Sequence, residues 1–195
     1  MRRGTPVVAA LLALLVAGCA GRTLDVGYPE TAVRKALLAN VAPRRVVVAP
    51  VNDRRGDTDR IGATPDDRKA IVTARPVAEI VREALVLEVA KNGHQVVPGP
   101  GDVVLAADVE EFWLDTVGRS DKTQYVGRVA IAVAVADGQT GDRLWSRRYV
   151  GIRRQTAEAD SKKAWREVMD TALARAIRDV ATDPDLALTV ARTQR

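Results

Sequence analysis

The sequence predicts an α+β domain, a mixed or antiparallel sheet of about four strands with two long helices on one face. Three observations predict it. Residues 103–113, 125–136 and 143–153 alternate side chains with the period of a strand. Residues 76–92 and 161–181 repeat apolar positions every three or four residues, the period of a helix. The order strand, helix, strand, strand, strand, helix lets both helices cover the same sheet.

Taken in order, the first strand is the β-branched run Val46-Val47-Val48, closed off by Pro43 and Pro50. Residues 52–69 are polar, contain Gly56, Gly62 and Pro65, and read as a long loop. The first helix begins at Pro76, whose missing N–H suits a first helical position, and stops before Gly93, suited to the left-handed residue past a helix end. Its stripe is Val77, Ile80, Val81, Ala84 and Leu85. After the turn Pro98-Gly99-Pro100-Gly101, Val103, Leu105, Ala107 and Val109 line one face of the second strand. Val129, Ile131, Val133 and Val135 line the third, and Asp137-Gly138-Gln139-Thr140-Gly141 turns the chain into the fourth. The last long helix has Asp160 or Ser161 as its cap and a stripe from Trp165 to Val180. Asp183-Pro184 ends it and starts a short final helix through Val190.

The amino-terminus is an address. Arg2 and Arg3 precede an apolar run over residues 7–17 and the small residues before Cys19, the three parts of a secretory signal peptide. That run is well short of the ~20 apolar residues a spanning helix needs. Val16-Ala17-Gly18-Cys19 resembles the lipobox of bacterial lipoproteins. The resemblance implies cleavage before Cys19, a diacylglyceryl thioether and an amide-linked acyl chain such as palmitate on that residue, and, since Ala20 rather than Asp follows, sorting to the outer membrane. Several acyl chains at ~0.8 kcal/mol per buried methylene would hold the chain on a bilayer. The expected organisation is a signal peptide over residues 1–18, an acylated start and tether over 19–43, mobile or loosely docked, and one domain over 44–195.

Removing residues 1–18 takes away two arginines and no acid, so the formal charge falls from +5 to +3. That charge, with both signs interspersed, gives no basis for nucleic-acid binding. With its one cysteine acylated, the chain has no disulfide to draw on.

The segment from Pro76-Val77-Ala78-Glu79-Ile80-Val81-Arg82-Glu83-Ala84-Leu85, the helix end Lys91-Asn92-Gly93-His94-Gln95-Val96-Val97, the hairpin over residues 128–150 and the closing helix over 165–185 resemble a YajG-like bacterial lipoprotein. The loop over residues 52–69 departs from that pattern. Related small domains occur in transport-auxiliary lipoproteins, in LpoB-type activators of penicillin-binding proteins and in the TolB amino-terminal domain. The resemblance implies a partner-binding role in the cell envelope and carries no catalytic residues.

The residues themselves offer little chemistry. His94, the single histidine, sits just past a helix end, where such a residue is usually solvated, and one histidine with no free thiol excludes the common zinc sites. Asp53, Asp57 and Asp59 interleave with Arg54, Arg55 and Arg60 and read as neutralised loop charge rather than a metal loop. Along the fourth strand, Trp145, Arg147, Tyr149 and Arg153 share a face by period two, the residue types that anchor protein interfaces. The alternative for that face is core packing under arginine stems, and Glu110, Glu111 and Trp113 form its candidate cross-strand complement. The expected function is therefore a non-catalytic, membrane-anchored periplasmic lipoprotein. Its functional residue is Cys19, its partner an envelope protein, and it has no cofactor beyond the covalent lipid. The alternative is a lipid- or small-ligand-binding auxiliary component of a transport system, which requires an apolar cavity between sheet and helices.

Overall fold

The sheet is organised around one strand long enough to take several partners in succession. The computed structural model describes residues 22–29, 36–64, 68–119, 122–159 and 161–193. Its elements are β1 (Arg22–Leu24), a 3-10 turn (Leu37–Asn40), β2 (Arg45–Val48), β3 (Asn52–Asp53), β4 (Gly62–Ala63), β5 (Ala70–Thr73), α1 (Val77–Lys91), β6 (Gln95–Val96), β7 (Val103–Arg119), β8 (Lys122–Asp137), β9 (Arg143–Ala157), α2 (Lys162–Thr182) and α3 (Pro184–Arg192). Along one edge β7 pairs antiparallel with β8 over its whole length, from Val103↔Asp137 to Arg119↔Lys122. Along the other edge it takes β2, β3 and β4 one after another, all parallel, at Val46↔Val103, Asn52↔Asp108 and Gly62↔Leu114. β6 extends the sheet beyond β2, and β5 and then β1 extend it beyond β4.

This corrects the expected sheet of about four strands with two long helices: among the described residues the sheet has nine strands, and three helices accompany it. The five additional strands, β1, β3, β4, β5 and β6, are two to four residues long. Pieces this short show no period of their own. β3 and β4 form because β7 is 17 residues long and its second edge takes hydrogen-bond partners beyond β2; β6 then adds to β2, β5 to β4 and β1 to β5. The polar stretch after β2 supplies the partners by folding back along β7. The Arg54 amide donates to the Val109 carbonyl at 2.8 Å and the Leu114 amide to the Ile61 carbonyl at 2.6 Å, while the Ile61 amide donates to Ile71 of β5 at 2.7 Å.

β7 and β8 hold the core by alternation, with one deliberate change of phase. Val103, Leu105, Ala107 and Val109 point inward, then Phe112 and Leu114 do. The shift occurs at a bulge between Val109 and Glu111, where Glu110 is the extra residue. On β8 Tyr125, Val129, Ile131, Val133 and Val135 are buried. α1 packs over β2 and β7, α2 over β8 and β9, and the two helices touch each other on that face. α2 lies close to the strands because Gly127 and Gly151 are beneath it. A Cβ on Gly151 would lie 1.9 Å from the Ala172 carbonyl oxygen, and one on Gly127 would lie 2.8 Å from Val168 Cγ1.

The helix ends follow their local chemistry. Pro76 proves to be the residue before α1 rather than its first, and Gly93 takes φ +91° just past the Asn92 cap. The Ser161 hydroxyl accepts from the Ala164 amide to start α2. The Asp183 carboxylate accepts from the amides of Asp185 at 2.8 Å and Leu186 at 3.1 Å to start α3. Among the described residues no helix is long and apolar enough to cross a membrane.

Of the segment expected to be a mobile or loosely docked tether, the described part packs on the domain. Residues 22–28 belong to the domain, since β1 runs parallel to β5 and Leu24 and Val26 are buried. The Gly27 amide donates to Asp170 on α2 at 2.9 Å. Tyr28 donates its hydroxyl to Glu88 and lies beneath the Lys91 ammonium, 5.6 Å from the ring centroid. Farther along, Leu38 of the 3-10 turn enters the core. A short β-strand and one aromatic suffice for docking because α1 and α2 leave Glu88 and Asp170 to receive them.

Candidate interaction surface

Cys19 lies outside the described residues. The four residues of the fourth predicted strand are placed, and they face the helices. Tyr149 is buried and donates its hydroxyl to Asp183 Oδ2 at 2.9 Å. Arg147 reaches Asp183 at 2.5 Å and Asp185 at 2.7 Å, and its guanidinium lies 5.6 Å from the centroid of the Trp145 ring. Trp145 in turn packs against Tyr149, with ring centroids 6.2 Å apart. These three residues pin the start of α3 to the sheet, so their immediate partner is the chain itself. Arg153 stands apart, nearer the other end of β9. Its Nε is buried with no hydrogen-bond partner.

Asp183 gathers this corner. Burial pushes its carboxyl up, but the Leu186 amide, the Tyr149 hydroxyl, the Asp185 amide and Arg147 together outweigh burial and hold it below the ordinary carboxylate value. Tyr149 moves the opposite way: burial first, then its bond to the Asp183 carboxylate, raises it far above an ordinary tyrosine.

Sequence reasoning missed a second cluster. His94 is buried rather than solvated: Nδ1 accepts from the Arg44 amide at 3.2 Å, which leaves Nε2 to donate to the Leu38 carbonyl at 3.0 Å. Arg44, also buried, donates to the last carbonyls of α3, at Val190 (3.3 Å) and Ala191 (2.8 Å). Glu88, 3% exposed, takes the Tyr28 hydroxyl, the Lys91 ammonium and Asn92 Nδ2. The signal that could have shown this was Glu88 itself, an acid within the apolar stripe of α1. All of these groups join chain segments to one another.

The opposite face of the sheet is open. On β9 every even residue from Leu144 to Thr156 is exposed, including Val150 and Ile152. Here the predicted acidic complement does appear, but for other arginines. Glu110 pairs with Arg148 at 2.6 Å, and Glu111 with Arg128 at 2.6 Å, while Arg128 also reaches Asp115. The extra residue at the bulge puts Glu111 on this side together with Glu110. Trp113 donates to Asp115 at 2.8 Å, and the Arg60 guanidinium lies 5.8 Å from its ring centroid. A polar cleft of about 280 Å³ lies between these side chains and Arg55 to Asp57. In the loop beside it Arg55 pairs with Asp53 and Arg60 with Asp57, each at 2.7 Å. Asp66 and Asp67 lie outside the described residues. Among those described, no three His, Cys, Asp or Glu side chains are arranged to hold a metal ion.

Between the sheet and the helices, the apolar space lined by Leu38, Val46, Leu85, Val103, Leu186 and Val190 holds about 20 Å³. That is about room for one water, against the ~300 Å³ or more of a ligand pocket.

No family model and no curated protein matches the chain. Solved structures do. A Xanthomonas campestris protein of family DUF330 is similar over 86% of this chain and 94% of its own, with a TM-score of 0.58 at 16% identity. A neuraminyllactose-binding hemagglutinin homolog from Helicobacter pylori covers 88% and 100%, with a TM-score of 0.50 at 10% identity. A minor lipoprotein from Acinetobacter baumannii covers 77% and 92%, more loosely, with a TM-score of 0.38 at 13% identity. None of the three is named YajG-like, and at these identities the likeness to the first two is one of fold: this chain has an architecture found in bacterial proteins of the DUF330 kind.

Proposed function

We propose that this chain is a lipid-anchored lipoprotein of the bacterial envelope, held through Cys19 at the periplasmic face of the outer membrane, whose domain acts by binding a protein partner and not by catalysis. The observation that carries the reading is the lipobox at residues 16–19 followed, three residues later, by a docked strand. Three residues of extended chain reach about 11 Å. A lipid on Cys19 would therefore hold the Arg22 end of β1 close to the bilayer. The first turn of α2 would lie there too, because Arg22 rests 5.7 Å from the centroid of the Trp165 ring. A domain on so short a leash suits a partner that is itself at the membrane.

The non-catalytic part of the reading is supported by where the ionisable side chains are spent: Glu88, Arg44, His94, Asp183 and Tyr149 all close internal contacts. The YajG-like resemblance and the DUF330 fold are compatible with it. The space described between sheet and helices does not favour the ligand-carrier alternative, since 20 Å³ would not admit an acyl chain.

The test is metabolic labelling with palmitate and flotation of the full chain and of Cys19→Ser. The wild-type chain should take up label and float with outer-membrane vesicles, and the variant should do neither. A variant that floats and is processed as before would overturn the anchor. Partner binding is tested by photocrosslinkers placed around the domain surface in cells; the absence of a reproducible adduct from any position would overturn it.

A further inference from the structure

β9 is 15 residues long and pairs only with β8 among the described residues, so its second edge is open. Which backbone groups face outward follows from one contact. Arg175 of α2 donates to the Ile152 carbonyl from outside the sheet. Groups on a strand alternate sides, so Arg148, Val150, Ile152 and Arg154 present their amides and carbonyls to the open edge. The same residues present exposed side chains to the open face of the sheet.

The charge along this edge is of one sign. β9 carries five arginines and no acid. Arg147 and Arg148 are matched by Asp183, Asp185 and Glu110. Arg153 and Arg154 have no ion-pair partner among the described residues, and Arg175 has only the Ile152 carbonyl. Together with Ile152 these three arginines line a surface concavity of about 430 Å³. Two polar atoms are buried beside it without partners, Arg153 Nε and Gln155 Oε1. The acid nearest in the hydrogen-bond network, Glu167, accepts from Gln155 at 3.3 Å and does not reach an arginine.

From this juxtaposition of an open strand edge and three unmatched guanidinium groups, we infer that β9 is a docking edge for an acidic, extended segment of a partner protein, which adds to the sheet as a tenth strand. The Arg148 to Arg154 stretch spans about 20 Å, the length of a typical strand. Main-chain hydrogen bonds to the edge supply affinity, as in other strand-addition complexes. Arg175 already occupies the Ile152 carbonyl as an incoming amide would, and on docking its guanidinium turns to a carboxylate. Specificity comes from alternation. Apolar side chains of the segment lie over Val150 and Ile152 on the open face; carboxylates on the other face meet Arg153 and Arg175, and Arg154, which lines the same concavity, reaches them past the strand edge. A second copy of β9 would bring arginine against arginine, so the charge selects against self-pairing. A bilayer would engage the guanidinium groups but leave the edge amides unused.

The inference deepens the partner-binding reading and rests on it. It is tested on the full chain with a blocked eight-residue peptide alternating valine and glutamate, followed by fluorescence anisotropy. Arg154 and Arg175 are exposed, so Arg154→Gln with Arg175→Gln should leave the melting midpoint unchanged while weakening binding at least tenfold. Arg154→Glu with Arg175→Glu should reverse preference toward the valine–lysine peptide. A valine–glutamate peptide interrupted by proline should bind at least tenfold more weakly than the uninterrupted one. No binding of the acidic peptide, equal binding of the lysine peptide to the wild-type chain, or indifference to the arginine changes would overturn the inference. So would equal binding of the proline peptide, or binding of phosphatidylglycerol vesicles through these arginines without binding of the peptide. Photocrosslinkers separate the two levels. A partner captured from another surface and not from Val150 or Arg154 overturns strand addition and leaves partner binding standing; no partner from any surface overturns both.

Discussion

Replacing Gly151 with alanine probes the closest contact between helix and sheet. The added Cβ would lie 1.9 Å from the Ala172 carbonyl oxygen and 2.7 Å from the Ala176 amide nitrogen. Real Cβ contacts essentially never fall below 3.0 Å, so α2 and β9 must separate by about 1.1 Å. The obstacle is helix backbone, which no rotamer change can move. A gap of ~1 Å forfeits up to half of each dispersion contact across it, and the facing residues Val168, Ala172 and Ala176 are all fully buried. Overpacking usually costs ~1–3 kcal/mol, and a backbone obstacle puts this site at the upper end. Alanine also gives back ~0.4–1 kcal/mol by restricting the unfolded chain. The expected net loss is about 2–3 kcal/mol, a fall in melting midpoint of about 4–12 °C for a domain of this size. Urea denaturation followed by emission of the buried Trp165 measures it. Gly56 has nothing within 4 Å of its added Cβ and an ordinary φ, so Gly56→Ala is the control. It should stay within about 0.5 kcal/mol of wild type. Equal stability of the two variants would refute the close-packing argument.

Three further perturbations follow. Asp183→Ala removes the α3 cap and the acceptor of the buried Tyr149 hydroxyl, so chemical denaturation should show a loss of about 3 kcal/mol. Because the Asp183 carboxyl lies below its ordinary value in the folded chain, its contribution is complete above about pH 4 and is lost as pH falls through the depressed folded value. The acid limb of the stability curve should accordingly flatten in the Asp183→Ala variant. Tyr28 and Tyr149 are both raised, chiefly by burial and then by hydrogen bonds to Glu88 and Asp183. Their contribution is complete below about pH 10, where unfolded tyrosine ionises, and is lost as pH rises beyond it; Tyr149→Phe should shallow the alkaline limb. Glu88→Ala strips the acceptor from Tyr28 and Lys91, at about 3 kcal/mol for breaking a largely buried pair. Hydrogen exchange at Leu24 and Val26 should then accelerate before exchange in α2 does.

The parts of the fold legible in the sequence were those whose side chains repeat a period over many residues. α1, α2 and the β7–β8–β9 meander each bury one face over 15 residues or more, and their stripes were readable. β3 and β4 were not, because two residues of a polar loop become strand only when the edge of β7 offers them partners. The phase change at Glu110 was hidden for a related reason. A bulge adds one residue without altering composition, so Glu110, Glu111 and Trp113 read as facing Trp145 and Tyr149 when they face Arg148 and Arg128 on the other side. His94 read as solvated because its position past a helix end gives no sign that Arg44 and Leu38, more than fifty residues away in the case of Leu38, will close over it.

The same bulge decides which face of this domain is free to act. Without it, β7 would keep Glu111 and Trp113 on the helix side. With it, Glu111 joins Glu110 on the open face, where the two pair with Arg128 and Arg148. The helix side keeps Tyr149 and Arg147, which are consumed by Asp183. What remains unmatched on β9 among the described residues is Arg143 at its start, alone, and the pair Arg153 and Arg154 at its far end, beside Arg175. This end is also nearer the first turn of α2 than the Trp145 end is, since β9 runs toward that turn and α2 returns from it. Arg22 rests on that turn. If Cys19 anchors the chain, the unmatched arginines of that far end therefore stand toward the membrane side of the domain. A linker of ten glycine and serine residues inserted between Gly21 and Arg22 would preserve lipidation and the charge of the edge while releasing its height above the bilayer. Crosslinking from Arg154 to a membrane-bound partner should then fall severalfold, while binding of the valine–glutamate peptide to the purified chain stays unchanged. Undiminished crosslinking with the long linker would show that the height of the domain plays no part in partner capture.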